Sequence, residues 1–179
     1  EEAYDYLAKF SKLIRMVLNN SEERIVLLQK EIELIKVYVE LEQMRFTNKF
    51  EFNLNIGNEV NQENIYIPTM LMQPYIENAI WHGLMNADKN SERILNVDIS
   101  IKDGRLNVII EDNGIGREKA TEYKSKDSHN PVGMKITEKR LAMINKMQGY
   151  ENTKVVVVDL KEGNKAKGTR VEIILPINI

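Results

Sequence analysis

Apolar residues at the start of the chain repeat with helical spacing. The stripe consists of Leu7, Phe10, Ile14 and Val17. Steps of three and four residues place these side chains on one side of a helix, so the pattern predicts a first helix that buries one face. Asn19, Asn20 and Ser21 follow the stripe. Because such residues favour helix termini, we expect one helix to end and another to begin here.

A second helix is predicted from Arg24 to Phe46, and it carries two apolar stripes. One consists of Leu28, Ile32, Ile35 and Val39, and the other of Leu34, Tyr38 and Leu41. A helix that is apolar over so much of its surface needs more than one neighbour. We therefore expect a bundle formed with a second chain or with a segment upstream of Glu1. The alternative is that both helices pack entirely against the following domain.

Beyond residue 48 the pattern changes to the alternation typical of strands. Strands are predicted at 50–56, 65–67, 96–102, 105–111, 154–160 and 169–176, and helices at 70–84 and 133–147. Asp103-Gly104 is a hairpin-turn signal, and the polar residues 114–132 are predicted to form a mobile loop. These elements predict an α+β fold in which one mixed sheet is covered by helices on one face, preceded by a helical hairpin.

The strand predicted at 105–111 runs into the sequence Asp112-Asn113-Gly114-Ile115-Gly116. A carboxylate at a strand end can accept a hydrogen bond from an exocyclic amine, and the two glycines allow positive φ and close approach to a ligand. The stretch therefore indicates an adenine pocket. An ordinary Asp-Asn-Gly turn is the alternative from these residues alone.

Three further segments stand in a fixed order around this motif. They are Leu-Met-Gln-Pro-Tyr-Ile-Glu-Asn-Ala-Ile-Trp-His-Gly at 71–83, Gly-Met-Lys-Ile-Thr-Glu-Lys-Arg-Leu at 133–141 and Gly-Thr-Arg-Val-Glu-Ile at 168–173. Together they resemble the asparagine box and the glycine boxes of the GHKL ATPases, a superfamily that includes gyrase and the histidine kinases. The sequence of residues 73–83 most resembles one branch, the sensor histidine kinases of the LytS/YesM type. Residues 1–48 also look like the helical segment of that branch.

The resemblance implies a Bergerat-type α/β sandwich and a division of the chain into two parts. Residues 1–48 would be a partial dimerisation and phosphotransfer segment, and residues 49–179 an ATP-binding catalytic domain. The implied function is transfer of the ATP γ-phosphoryl group to a histidine upstream of this chain, for relay to a response regulator receiver domain. The implied cofactors are ATP and Mg²⁺, and the helices would form a homodimer. The chain would be the cytoplasmic portion of a membrane-anchored, inner-membrane bacterial sensor.

The resemblance also assigns residues to the site. The implied ATP-binding residues are Asn78, His82, Asp112, Gly114, Gly116, Gly133, Met134, Lys135 and Thr169. Asn78 is the implied Mg²⁺ ligand, since its side-chain oxygen is of the hard type that Mg²⁺ prefers. His82 is explained equally well as a buried structural histidine. Thr169 can hydrogen-bond Asp112 or the adenine.

Three positions depart from the family pattern. Pro74 stands where ATP-hydrolysing relatives carry a catalytic glutamate, which favours phosphoryl transfer over hydrolysis because proline cannot take a proton. Trp81 replaces a lysine that faces the phosphates in many histidine kinases, and Pro131 replaces a glycine of the second glycine box. Weak or lid-dependent nucleotide affinity is therefore expected. The remaining candidates for phosphate neutralisation are Lys135, Arg140, Arg117, Lys119, Lys124 and Lys126.

The phosphoacceptor histidine is not identified in this sequence. Kinases of the branch carry it in a His-Phe-x-Phe-Asn phrase, whereas His82 and His129 both stand outside such a phrase. We therefore expect no catalytic nucleophile and no autophosphorylation in the chain as it stands. Two alternatives remain open: a serine kinase of the anti-sigma type, which shares the pocket but lacks the paired helices, and a pseudokinase that serves only dimerisation and interaction.

Composition narrows the classes of partner. The chain has 179 residues with a net charge of −2, so there is no general basic field for nucleic acid. It contains no cysteine, which excludes disulfides and thiolate metal sites. It has no signal peptide and no run of about 20 apolar residues. Because it begins without methionine, inside a predicted helix, we expect it to be a fragment of a longer protein.

Overall fold

A computed structural model describes residues 2–46, 50–88, 91–117, 139, 141–147, 149–163 and 165–177. The helices are α1 (Glu2–Ser21), α2 (Leu28–Arg45) and α3 (Gln73–Asn78), and the last continues as a π-helix (Ala79–Leu84). The strands are β1 (Ile25–Leu27), β2 (Glu51–Ile56), β3 (Tyr66–Pro68), β4 (Ile94–Lys102), β5 (Arg105–Asp112), β6 (Lys154–Glu162) and β7 (Lys165–Pro176).

The described residues form two compact units. The first contains 2–46 and 61–73, and the second contains 50–60 and the described residues of 74–177. The functional division at residue 48 stays a prediction. The compact units differ from it at 61–73, which the sequence pattern assigns to the second domain.

In the first unit, α2 begins later than the predicted Arg24. Ile25–Leu27 instead forms β1, which pairs antiparallel with β3. The amide of Leu28 then donates to the carbonyl of Ile65 at 2.8 Å. The segment before α2 is therefore extended because strand pairing satisfies its backbone groups.

Both predicted stripes of α2 are buried within this single chain. Ten of its residues are buried, and they include all seven apolar residues of the two stripes. This helix therefore needs no second chain to cover it.

The first helix behaves differently: most of its predicted stripe is exposed in the single chain, so burial of that stripe in a bundle stays a prediction. Leu7, Phe10 and Ile14 are 58%, 45% and 44% exposed. The less exposed side of α1 consists of Tyr6, Lys9, Leu13, Met16, Val17 and Asn20. On this side Lys9 forms an ion pair with Glu40 of α2 at 2.7 Å. Helix α1 has apolar residues on two sides. The side nearer α2 is covered, and the other side is exposed.

The second unit contains a five-stranded sheet in the order β2-β4-β5-β7-β6. The β2–β4 pair is parallel and the other pairs are antiparallel, so the predicted mixed sheet is confirmed. The predicted turn is also present, with φ of 50° at Asp103 and 67° at Gly104. Positive φ at both positions is typical of the hairpin turn that matches strand twist. The covered face of the sheet is apolar and includes Leu95, Val97, Ile99, Leu106, Val108, Ile110, Val171, Ile173 and Leu175.

The helix predicted at 70–84 begins at Gln73 instead of Met70. Met70 has φ of 53°, which does not fit a right-handed helix. The amides of Met70 and Met72 instead donate to the carboxylate of Glu31, at 3.0 and 3.2 Å. From Ala79 the helix widens to π geometry, a change that is frequent at functional sites.

Two further predictions are adjusted or fall partly outside the described residues. The connection between the strands predicted at 154–160 and 169–176 is shorter than expected, because β7 already begins at Lys165, which pairs with Glu162. Of the helix predicted at 133–147, residues 141–144 are described and helical. Of the loop predicted at 114–132, the structure describes 114–117.

Candidate nucleotide-binding site

A row of polar side chains crosses one end of the sheet. Asp112 of β5 is in register with Thr169 of β7, and Thr169 is in register with Asp159 of β6. Register partners project on the same face of a sheet. Alternation along β5 places Asp112 on the face of the buried Val108 and Ile110, which is the face covered by the helices. The row therefore lies at the edge of the covered core.

Backbone from two other motifs reaches Asp112 closely. A Cβ added at Gly83, in the π-helix, would collide with the Asp112 carboxylate, and one added at Gly168 would collide with the Asp112 carbonyl oxygen. Gly114 lies in turn against the Gly83 backbone, and the Ile115 amide donates to the Gly83 carbonyl at 3.3 Å. Only residues without a side chain allow these approaches. Three motifs that are distant in sequence thus meet at Asp112: Gly83 and Gly114 at its carboxyl group, and Gly168 at its backbone carbonyl.

This carboxyl group is buried, with Asp112 only 3% exposed. Its Oδ1 accepts a hydrogen bond from the Gly114 amide at 2.9 Å. Burial raises the pKa of Asp112 to about 7, while hydrogen bonds from the backbones of Gly114 and Thr169 act in the opposite direction and the Glu111 charge raises it further. A buried carboxylate is stabilised by any hydrogen-bond donor that enters the site. The group is therefore suited to an amine-bearing ligand.

Asn78 and His82 lie on the helix that brings Gly83 to Asp112. Asn78 is the last residue of α3 and His82 belongs to the π-helix; both are half-buried. The amide of Asn86 closes the end of this helix by donating to the carbonyl oxygens of Trp81 and His82, at 3.0 and 3.4 Å. The contact of Gly83 fixes this helix against the strand end, so residues of the first glycine box and of the asparagine box share one site.

The remaining predicted residues divide into two groups. Thr169 is the register partner of Asp112, and Gly116 lies against β7, where an added Cβ would be 2.9 Å from the Cβ of Ala166. Gly133, Met134 and Lys135 lie outside the described residues, as do Lys119, Lys124, Lys126 and Arg140. The ligand contacts of all these residues stay predictions.

Arg117, a predicted candidate for phosphate neutralisation, forms an ion pair with Asp159 in this structure, and its role toward a phosphate stays a prediction. Its Nε and Nη2 donate to the two carboxylate oxygens of Asp159 at 2.7 and 2.8 Å. Sequence reasoning missed Asp159 and Ala166. Neither stands in a recognisable motif, and only strand register brings them to the site.

The donor set suits Mg²⁺ bound together with a nucleotide. Within the described ranges, no three His, Cys, Asp or Glu side chains come together as a metal site. Mg²⁺ commonly takes one or two protein ligands and completes its shell with phosphate oxygens and water. A single half-buried amide oxygen at Asn78 fits that arrangement. The residue that would hold the metal is therefore Asn78, acting with the phosphates of the ligand.

Comparison with known proteins supplies the family. A family model described as "Histidine kinase" matches residues 1–50. The sensor protein LytS of Staphylococcus epidermidis is 33% identical over 116 residues, which cover 65% of this chain and 19% of that protein. The sensor histidine kinase/phosphatase LytS of Staphylococcus aureus is 32% identical over 119 residues, with the same coverage. These matches support a LytS-type sensor histidine kinase. The chain spans about a fifth of the length of these relatives.

Solved structures of histidine kinases share the fold of this LytS-type chain. The histidine kinase domain of a blue-light activated kinase from Erythrobacter litoralis aligns with a TM-score of 0.60 at 13% identity, covering 96% of this chain and 75% of that one. The catalytic domain of histidine kinase ThkA aligns with a TM-score of 0.54 at 14% identity, covering 85% and 93%. The predicted fold class is thereby confirmed. Among the described helices, none has the length and hydrophobicity needed to cross a bilayer.

Proposed function

We propose that this chain binds ATP with Mg²⁺ and acts as the catalytic part of a sensor histidine kinase. The phosphoryl acceptor would be a histidine on a segment upstream of Glu1. The observation that carries the proposal is the convergence of Gly83, Gly114 and Gly168 on the buried residue Asp112. These glycines belong to three different boxes of the family pattern. Gly83 and Gly114 meet the carboxyl group of Asp112, and Gly168 meets its backbone carbonyl.

In the proposed mechanism the residues of the chain bind and orient the nucleotide. Asp112 accepts a hydrogen bond from the exocyclic amine of adenine, which compensates for the burial of its charge. Asn78 offers one oxygen to Mg²⁺, which neutralises charge on the phosphates when bound. Catalysis of phosphoryl transfer consists mostly of positioning and charge neutralisation, so the chain itself needs no nucleophile. The phosphoryl group would then pass to an aspartate of a response regulator receiver domain.

We also propose that α1 forms a homodimer with the same helix of a second copy. The open side of α1 carries Tyr4, Leu7, Phe10, Ile14 and Leu18, all of which are exposed. Their spacing of three and four residues forms the kind of apolar seam that pairs helices. Leu7→Glu should therefore convert the dimer to monomer in analytical ultracentrifugation. Lys12→Glu, on another side of α1, should leave the dimer intact, and an unchanged dimer in the Leu7 variant would contradict this interface.

The two N-terminal helices also bear on the alternatives. A serine kinase of the anti-sigma type lacks the paired helices, whereas α1 and α2 are present here. The pseudokinase alternative rests on Trp81 and Pro131. It predicts no Mg²⁺-dependent ATP binding, which calorimetry on the chain can measure.

We further propose that the intact protein is membrane-anchored, with this chain on its cytoplasmic side, because the LytS relatives are sensors and are far longer.

Phosphorylation tests the proposed reaction directly. The chain alone, incubated with γ-labelled ATP and Mg²⁺, should bind ATP yet form no acid-labile phosphohistidine, because the acceptor is not part of it. A chain extended by its native upstream helix should become labelled. Labelling of the chain alone that is lost in His82→Ala or His129→Ala would overturn the proposal. An extended chain that stays unlabelled would favour the pseudokinase.

A further inference from the structure

An ion pair joins the end of the glycine loop, residues 112–116, to the edge of the sheet. The guanidinium of Arg117 meets the carboxylate of Asp159 with two parallel contacts, at 2.7 and 2.8 Å. The two side chains are 41% and 27% exposed, so the pair is partly shielded from water. Two-point contacts of this kind fix direction as well as distance. The pair therefore restrains the backbone on which Arg117 stands.

The position of the pair links it to the candidate site. Asp159 is the register partner of Thr169, which is the register partner of Asp112. Arg117 directly follows Gly116, whose φ is 75° and whose Cα lies close to Ala166. The glycine loop is thus held at two places: Gly114 lies against Gly83 of the helix, and Arg117 is bound to β6.

We propose that Arg117 and Asp159 form a positioning pair for the nucleotide, holding the glycine loop on β6 in the conformation that binds adenine. This inference rests on the proposed binding of ATP. A loop that is ordered before binding loses less conformational entropy when the ligand arrives. The pair would therefore raise the affinity for the adenosine part of the ligand without touching it.

The opposite assignment, in which Arg117 binds the phosphates, has a cost in this structure. Arg117 would have to leave Asp159, and the row beside Thr169 would then contain an unpaired carboxylate. The pairing is electrostatically favourable as it stands: the hydrogen bond from Arg117 holds the pKa of Asp159 below its usual value. The hydrogen bond to Asp159 likewise raises the pKa of Arg117. Both groups are charged at neutral pH and need no ligand to be satisfied.

The sheet provides a matched control on its other face. Arg170 donates through Nε to Glu111 at 2.6 Å, and these side chains are 46% and 29% exposed. Glu111 and Arg170 are register partners on β5 and β7, the strands that carry Asp112 and Thr169. This pair has similar exposure but lies on the face away from Asp112. Loss of this pair should change the stability of the fold about as much as loss of the Arg117–Asp159 pair, and it should change ligand affinity much less.

The test is calorimetric titration of the whole chain with Mg²⁺-ATP and, separately, with adenosine. Arg117→Ala and Asp159→Asn should each raise the dissociation constant by about fivefold for both ligands, the scale of one good ion pair. The double variant should be no worse than either single variant. Arg117→Lys, which keeps the charge but loses the two-point contact, should lie between wild type and Arg117→Ala. Arg170→Ala should change neither constant by more than about twofold.

Other results would reject the inference. If Arg117→Ala weakens ATP but not adenosine while Asp159→Asn has no effect, Arg117 is a phosphate ligand and the pair does not position the loop. Equal effects of Arg117→Ala and Arg170→Ala would mean that the pair acts only through general stability. Wild-type chain that binds neither ligand would instead reject the proposed function itself. Melting temperatures of all variants identify any loss of folding, and Asp159→Asn, which keeps the size of the side chain, is the variant least affected by it.

Discussion

Glu111 and Asp112 are neighbouring acids on β5, and they have opposite surroundings. Glu111 lies on the open face, where it meets the guanidinium of Arg170 at 2.6 Å. Asp112 lies on the covered face, 3% exposed, with backbone amides as its partners and the glycine backbone of a helix against it. Adjacent positions on a strand point to opposite faces, so one residue of sequence separates a surface ion pair from a buried acceptor. Burial, rather than residue type, therefore distinguishes Asp112 as the candidate acceptor.

The largest expected difference between the two acids is in nucleotide binding. At about 100 times its dissociation constant, ATP should stabilise the wild-type fold by roughly 2.7 kcal/mol. Asp112→Asn should abolish this stabilisation, because the amide replaces one of the acceptor oxygens, whereas Glu111→Gln should retain it. Thermal melting with Mg²⁺-ATP measures both. GTP should shift the melting temperature little, since its 6-oxo group offers the carboxylate no donor. Equal shifts with ATP and GTP would contradict the role of Asp112.

The close packing on the covered side predicts the next effect. Gly83→Ala adds a methyl group against the Asp112 carboxylate and should lower the free energy of unfolding by about 2 kcal/mol, as overpacking commonly does. Gly163→Ala is the control, because no residue that the structure describes lies within 4 Å of an added Cβ there. Its φ of 59° costs only backbone strain of about 1 kcal/mol. Urea denaturation compares them. If both variants lose the same amount, the packing around Asp112 is looser than described.

The pH dependence of stability separates the two acids further. Burial raises the pKa of Asp112 from 3.8 to about 7. Between pH 3.8 and about 7, Asp112 holds a proton in the folded chain that it has released in the unfolded chain. The free energy of unfolding therefore falls as pH rises in this range, by up to about 1.4 kcal/mol per pH unit. Above pH 7 the contribution is constant. Asp112→Asn should remove that slope in urea titrations from pH 4 to 8, and Glu111→Gln should keep it; a wild-type slope unchanged by Asp112→Asn would contradict the raised pKa.

The same pKa predicts how ligand affinity depends on pH. The ionised carboxylate is the acceptor for an amine, so ATP should bind less tightly as pH falls below about 7. Binding at pH 7 should release protons, which calorimetry in buffers of different ionisation enthalpy detects. Identical heats in all buffers would show that Asp112 keeps its protonation state when the ligand binds.

The smallest effect is expected on the open face. Arg170→Ala should lower the free energy of unfolding by no more than about 1 kcal/mol, because the pair with Glu111 is partly exposed and salt screens it. High salt should shrink the difference from wild type in the same denaturation experiment. A loss well above this value would mean that the open face contributes more to the fold than its exposure indicates.

Much of the architecture follows from local pattern. Alternation of apolar residues predicts strands β2, β4 and β5, and Asp103-Gly104 predicts the hairpin turn, since both depend on neighbouring residues alone. Helix α2 is also predicted, but its start is not. Ile25–Leu27 becomes a strand because Tyr66–Pro68 is available to pair with it. A partner 41 residues away along the chain, as Ile67 is from Val26, leaves no signal in a local window.

Some features of the candidate site likewise follow from the sequence, and others do not. The sequence alone identified the candidate residues, because Asp112, its glycines and the asparagine-box segment stand in recognisable order. Only the tertiary structure decided that the Gly83 backbone packs against Asp112 and that Arg117 pairs with Asp159. It also decided that the apolar stripe of α1 is exposed whereas the stripes of α2 are buried. The physical reason is that desolvation, close packing and charge pairing depend on which distant segments meet, and this depends on strand register and helix placement rather than on any single segment.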